Sequence, residues 1–172
     1  LVLRFKLIVQ NTMLKSRLFA TFMCFVSFAV VANSCTNYAG EESVTVSTYV
    51  TLLDAIDCNV DIISISGVIV VDDELVISEQ NINFVGIDNN SSLEATSSRI
   101  FNIFRSEVTI EGLLLSGGIS SSNGGGVLIV ESIFSLRDAS VKNCHAANGG
   151  GLYASNSTVS LNNVQIINNA AS

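Results

Sequence analysis

Several groups of residues in this 172-residue chain have types and spacings that could do chemistry. Asp72-Asp73-Glu74 is the densest run of carboxylates, the kind of cluster that can hold Ca²⁺ beside a basic residue for acid–base attack. Adjacent carboxylates in an extended chain diverge, and no arginine falls in a matching position one or two repeats on. The run therefore reads as a solvated acidic turn. The single histidine, His145, follows Cys144, which suggests a nucleophile and its base or a metal pair. A metal needs about three or four ligands, so the neighbours read as a surface histidine beside a small buried thiol. No cofactor is expected. Gly124-Gly125-Gly126 and Gly149-Gly150-Gly151 look like phosphate loops but lack the following Lys-Ser/Thr and the helix that would present its N-terminus. Their expected role is steric, through positive φ and close backbone approach.

The glycine triplets matter more for their spacing. Each follows an asparagine, Asn123 or Asn148, and the two copies lie 25 residues apart. Residues 123–147 and 148–172 agree at nine positions, among them Ser132/Ser157, Ser135/Ser160, Leu136/Leu161 and Asn143/Asn168. Self-similarity of this kind marks stacked repeats. Each repeat holds three short β-rich runs, such as Val127–Val130, Ile133–Leu136 and Ser140–Asn143, and no helix long enough for a βαβ crossover. Stacking the repeats in register buries alternate side chains in a shared bore, so the expected fold is an all-β, right-handed parallel β-helix with one coil per repeat. The phase continues backwards through Val108-Thr109-Ile110 and Ile82-Asn83-Phe84 at steps of 26, with Gly112 and Gly86 where the later coil has Asp138. Ile62–Ile65 and Leu75–Ile77 belong to the first coil. Asn143 and Asn168 are expected to point inward as a stacked amide ladder along the axis.

Ahead of the first coil, Thr48 precedes Tyr49–Asp57, which reads as a short amphipathic capping helix with Val50, Leu53 and Ile56 on one face. It would cover the open end of the bore. No counterpart is visible near Ser172, so the expectation is a domain over 35–172 that continues beyond this chain.

Residues 1–12 precede the first methionine and read as an upstream or misassigned segment. From Met13 come two basic residues, Lys15 and Arg17, an apolar stretch Leu18–Val31 and a small-residue exit at Ala32-Asn33-Ser34. This is a cleavable secretory signal over 13–34, with cleavage before Cys35. The alternatives are an uncleaved anchor and a lipoprotein acylated at Cys35. Beyond Ser34 four basic residues (Arg99, Arg105, Arg137, Lys142) face all 15 acidic ones, a charge of −11. Phosphate recognition needs clustered cations, so nucleic acid is excluded as a partner. In an oxidising compartment Cys35 and Cys58, on either side of the capping helix, could pair, leaving Cys144 free or awaiting a partner further along. If the source is eukaryotic, Asn89, Asn90 and Asn156 are N-glycosylation acceptors in expected turns.

The glycine turn, the strands and the run Ile166-Ile167-Asn168-Asn169-Ala170-Ala171 resemble the repeats of the polymorphic outer-membrane protein family and, more widely, of the pectin-lyase-like β-helix group. The likeness is strongest over 123–172, with Val141 and Ile166 where the family prefers Phe and Cys144 in the place of Asn169. It implies a secreted or surface-exposed β-helix with an adhesive role and supplies no catalytic residue. The Asn-Thr-Asp, paired-Asp, His-Gly and Arg-Ile-Lys motifs of polygalacturonases do not occur in order, and Ser98-Arg99-Ile100 is only superficially similar. The expected function is non-catalytic adhesion or contact with a glycan or a host or cell-surface protein, with membrane attachment only through an anchor beyond Ser172. The alternatives are a fragment of an extracellular polysaccharide lyase or glycoside hydrolase, and a coat component.

Overall fold

The structure, a computed structural model, describes Cys35, Tyr38 and residues 41–172. The expected signal segment 13–34 and residues 1–12 lie outside the described residues. From Tyr38 onward the chain forms one compact unit. It is the parallel β-helix read from the repeat, with about four turns and, among the described residues, one short α-helix.

A strand β1 (Ser43–Val46) and a helix α1 (Tyr49–Asp57) precede the coils. The first coil holds β2 (Ile62–Ile65), β3 (Val68–Val71) and β4 (Leu75–Ser78). The second holds β5 (Asn81–Gly86), β6 (Ser92–Ala95) and β7 (Phe101–Phe104), and the third β8 (Glu107–Glu111), β9 (Leu114–Ser116) and β10 (Val127–Val130). The fourth adds a short strand and contains β11 (Ile133–Arg137), β12 (Ser140–Lys142), β13 (His145–Ala146) and β14 (Leu152–Ser155). A last set follows as β15 (Thr158–Asn162), β16 (Gln165–Ile167) and β17 (Ala170–Ala171). Three parallel sheets result, β1-β2-β5-β8-β11-β15, β3-β6-β9-β12-β16 and β4-β7-β10-β14, beside the pair β13-β17. The register is the one the repeat implies: Val108 pairs with Phe134 and Ile82 with Val108, while Asn123 bridges Asn148.

Alternation does the packing. In each strand alternate residues face the bore, so Ile63, Phe84, Ile110 and Leu136 stack in one column, all fully buried. Leu75, Phe101 and Val127 stack in another. Phe84 and Phe101 touch across the bore with ring centroids 5.1 Å apart. Each such side chain contributes about 1.5–3 kcal/mol by leaving water, and the stack repeats that gain coil by coil. In the last coil the columns of Phe134, Leu136 and Val141 reach Val159, Leu161 and Ile166, which are 38–48% exposed.

The helix begins where expected, at a capping box in which Thr48 Oγ1 accepts from the Thr51 N–H while Thr51 Oγ1 accepts from the Thr48 N–H. Its buried face is corrected, however. Leu52, Ala55 and Ile56 join the core, whereas Val50 is 66% exposed. Leu53 is partly buried against the core, so the buried face is centred on Leu52, Ala55 and Ile56. Tyr49 Oη donates to the Asp73 carbonyl and Gln80 Nε2 to the Ile56 carbonyl, tying the helix to that coil. Cys35 and Cys58 are disulfide-bonded, and Cys58 is the C-cap of α1.

Candidate functional site

A stacked coil turns three times, and the corners carry what the bore cannot. The corners that lead from the third sheet back to the first are two residues each: Glu79-Gln80, Arg105-Ser106, Glu131-Ser132 and Asn156-Ser157. The first residue of each has φ between 46° and 57°. The second builds a ladder. Ser106 Oγ accepts from the Gln80 N–H one coil below, Ser132 Oγ from Ser106 and Ser157 Oγ from Ser132, each at 3.1 Å. Each hydroxyl donates in turn to a carbonyl of its own coil, that of Phe104, Val130 or Ser155. Outside this ladder Arg105 lies between Glu131, at 2.8 Å, and Glu79, at 4.0 Å.

Asn143 and Asn168 do not form the expected inward ladder. Both are exposed and left-handed, at φ 54° and 56°, in a column that begins with Gly117 at 75°. A left-handed residue turns the chain, so the residue after it is the one that faces inward. That residue is Cys144 in one coil and Asn169 in the next. The Asn169 side chain accepts from the Cys144 N–H and donates to the Val141 carbonyl, both at 2.9 Å. The amide bond that does run along the axis is Asn148 Nδ2 to Asn123 Oδ1, 2.9 Å, at the heads of the two glycine triplets. In the triplets Gly124 and Gly149 take φ 62° and 58°. A Cβ on Gly125 would lie 2.4 Å from the His145 carbonyl oxygen, and one on Gly150 would lie 2.2 Å from that of Ala170. Positive φ and close approach therefore both occur there.

Cys144 and His145 point apart. The thiol is buried, donates to the Lys142 carbonyl and has its pKa raised by desolvation, while His145 is exposed on β13. They form no dyad. Among the described residues no three His, Cys, Asp or Glu side chains gather as metal ligands.

The acidic turn also needs correction. Glu74 is not simply solvated: Arg99, one coil on, reaches it with Nη1 at 2.7 Å. The same guanidinium is 8% exposed and donates from Nε to the Gly124 carbonyl and from Nη2 to the Asn123 carbonyl and to Ser120 and Ser122. The 25-residue interval from Glu74 to Arg99 carries the signal, and it equals the repeat. It was missed because the corner between them changes length from coil to coil. Arg99 is a tie that holds the long corner 117–126, and its donors are engaged.

The corners from the first sheet to the second line a broad recess. They are two residues long at 66–67, 112–113, 138–139 and 163–164, but five at 87–91. The longer corner stands out from the surface. Asp88 organises it: one carboxylate oxygen accepts from the Gly67 N–H at 2.9 Å and from Ser66 Oγ, and the other from the Asn90 N–H. The Gly67 N–H, then the Asn90 N–H, then the Ser66 and Ser91 hydroxyls hold the Asp88 pKa below the ordinary value. Ser91 fixes the corner's end by donating to the Ile65 carbonyl at 2.7 Å. Beneath the corner Gly86 and Gly112 meet so closely that a Cβ on Gly86 would sit 2.2 Å from the Gly112 carbonyl oxygen.

The result is an open groove of about 420 Å³. Ile87, Asp88 and Asn89 form one wall, Gly112, Leu113 and Leu114 of the third coil form the floor, and Asp138 and Ser140 of the fourth form the far side. It crosses two coil steps, about 10 Å along the axis. Asn89 and Asn90, two of the three expected glycosylation acceptors, are exposed on the overhanging corner, and Asn156 is exposed on a different one. Sequence reading placed Asn89 and Asn90 in a turn but did not see that their corner alone is extended. No family model, curated protein or solved structure matches this chain.

Proposed function

We propose that this protein is a secreted or surface-displayed β-helix whose role is non-catalytic contact with an extracellular glycan through the groove beneath the 87–91 corner. The observation that carries this reading is the groove itself. It combines short apolar patches from Ile87 and Leu114 with the amide, hydroxyl and carboxylate groups of Asn89, Ser140 and Asp138. Sugars present the same mixture, since their ring faces are apolar and their edges carry hydroxyls, and a rigid surface that offers both needs little reorganisation to bind. Two further features support the reading. Arg99, the basic group one coil from the acidic turn, spends its donors on Glu74, on serines and on carbonyls instead of facing a ligand. The Cys35–Cys58 disulfide suits an oxidising compartment. The likeness of residues 123–172 to polymorphic outer-membrane protein repeats points to the same class of role.

The test is glycan binding by the full chain and by a variant in which 87–91 is replaced with a two-residue Gly-Leu corner like 112–113. Binding by the first, and its loss in a folded second with an unchanged β-sheet spectrum, is the expected outcome. Equal binding by both would remove the groove from the reading.

A further inference from the structure

The groove is open enough to take many sugars, and its charge narrows the choice. Asp88 stands on one wall and Asp138 on the far side, and none of the lining residues is basic. Arg137, the neighbour of Asp138, is exposed on the outer face of the first sheet, where its Nε donates to Ser135 Oγ. Lys142 lies two residues beyond Ser140 on β12, about 7 Å further along the strand and outside the lining.

We infer that the groove discriminates by charge, accepting uncharged and amine-bearing sugars and rejecting uronates. This rests on the glycan-contact reading above and sharpens it. A uronate carboxylate in the groove would share it with the Asp88 and Asp138 carboxylates and find no cation among the lining residues. Like charges a few ångströms apart near a protein surface weaken binding by about tenfold or more. An ammonium in the same position gains what the uronate loses. The donors on Asp88 keep that carboxylate ionised in mildly acidic solution. Asp138 accepts from Asn163 Nδ2 and keeps its second oxygen for a ligand.

The experiment titrates the full chain with a glucosamine oligomer, its N-acetylated counterpart and an oligogalacturonate of equal length. The pH should be mildly acidic, where the amines are protonated. The glucosamine oligomer should bind at least as well as the N-acetylated one, and the oligogalacturonate about tenfold or more weakly. Asp138→Asn is the diagnostic variant, because residue 138 sits at φ 45° and Asn163 occupies the same place one coil on at φ 53°. The change is therefore conformationally tolerated, and it should weaken the glucosamine oligomer while narrowing the gap to the uronate. Raised salt should shrink both differences. Uronate binding as tight as the others, or an order unchanged by Asp138→Asn, would overturn the inference. If the uronate binds and the short-corner variant loses it, the contact reading survives and only the charge rule falls. If none of the three oligomers binds, both fall.

Discussion

The serine ladder offers the sharpest test of how the coils are held, and Ser132→Ala is the change to make. Ser132 is 5% exposed, so water does not replace what is lost. Its hydroxyl makes two bonds, one accepted from the Ser106 N–H at 3.1 Å and one donated to the Val130 carbonyl at 2.7 Å. The two losses are unequal. The Val130 carbonyl also accepts from the Arg105 N–H at 3.1 Å and so keeps a partner. The Ser106 N–H points into the ladder and is left without one, and a buried unsatisfied donor costs about 1–3 kcal/mol. Alanine at the same backbone position adds no strain, so the expected loss is about 2 kcal/mol. In urea, where the slope for a domain of this size is about 2 kcal/mol per molar, the midpoint should fall by about 1 M. Ser106→Ala orphans the Gln80 N–H in the same way and should cost a similar amount. Ser135→Ala is the control: that side chain is half-buried on the outer face, and the change should stay within about 0.5 kcal/mol. If Ser132→Ala is as mild as Ser135→Ala, the hydroxyls do not hold the corners and the argument fails.

Other expectations follow from single contacts. Asn169→Ala should cost about 1–3 kcal/mol by stripping the buried Cys144 N–H of its acceptor, while Asn168→Gly, which keeps φ 56° without strain, should cost less than half as much; equal losses in urea titration would restore the ladder expected at 168. Gly125→Ala should be severe, above about 3 kcal/mol, because its Cβ meets the His145 and Gly150 carbonyl oxygens at 2.4 and 2.5 Å, whereas Gly67→Ala, with open space but φ 72°, should lose only about 1–2 kcal/mol; a soluble, fully stable Gly125→Ala protein would contradict this. The Cys144 thiol, buried and with its pKa raised by desolvation, should resist thiol reagents at neutral pH until the chain unfolds, and rapid labelling of native protein would show the site to be open. Because Asp88 has a lowered folded pKa, its contribution to stability is present above its unfolded value of 3.8 and is lost as pH falls through the lower folded value; Asp88→Asn should abolish that part of the acid destabilisation, and identical acid curves would refute the role of the Gly67 and Asn90 N–H groups.

The fold was legible from residues 123–172 because two copies of one coil lie end to end there. The glycine triplets, the stacked strands and the phase back to Ile82 all reappear as register pairs. What escaped is one kind of information, the direction a side chain takes at a corner. Asn143 and Asn168 are an aligned amide pair, yet a left-handed residue spends its own position on turning, and the inward place passes to Cys144 and Asn169. Ser132 and Ser157 were visible as an aligned pair but looked no different from Ser135 and Ser160, which face outward; only the chain reversal at the corner separates them. The helix face was misjudged for another reason, since Ala55 carries little hydrophobic signal and is still fully buried.

The groove was invisible for a deeper reason, and that reason explains how the surface of such a β-helix acquires relief. From the second coil to the third the first sheet advances 26 residues, Asn81 to Glu107, and the third sheet 26, Phe101 to Val127, but the second sheet only 22, Ser92 to Leu114. The two coils therefore have the same length and distribute it differently. The second spends its slack at the 87–91 corner and returns with five residues at 96–100; the third turns in two residues at 112–113 and spends the slack at 117–126. A period count sees 26 in both cases. Because paired strands must stay in register, extra residues are tolerated only between strands, so moving the slack from one corner to another changes the surface without touching the bore. The apolar columns decide that the chain stacks. The placement of a few corner residues decides that Asp88 and Asn89 share a groove with Leu114, Asp138 and Ser140, so the relief of the surface is set at the corners and not in the bore.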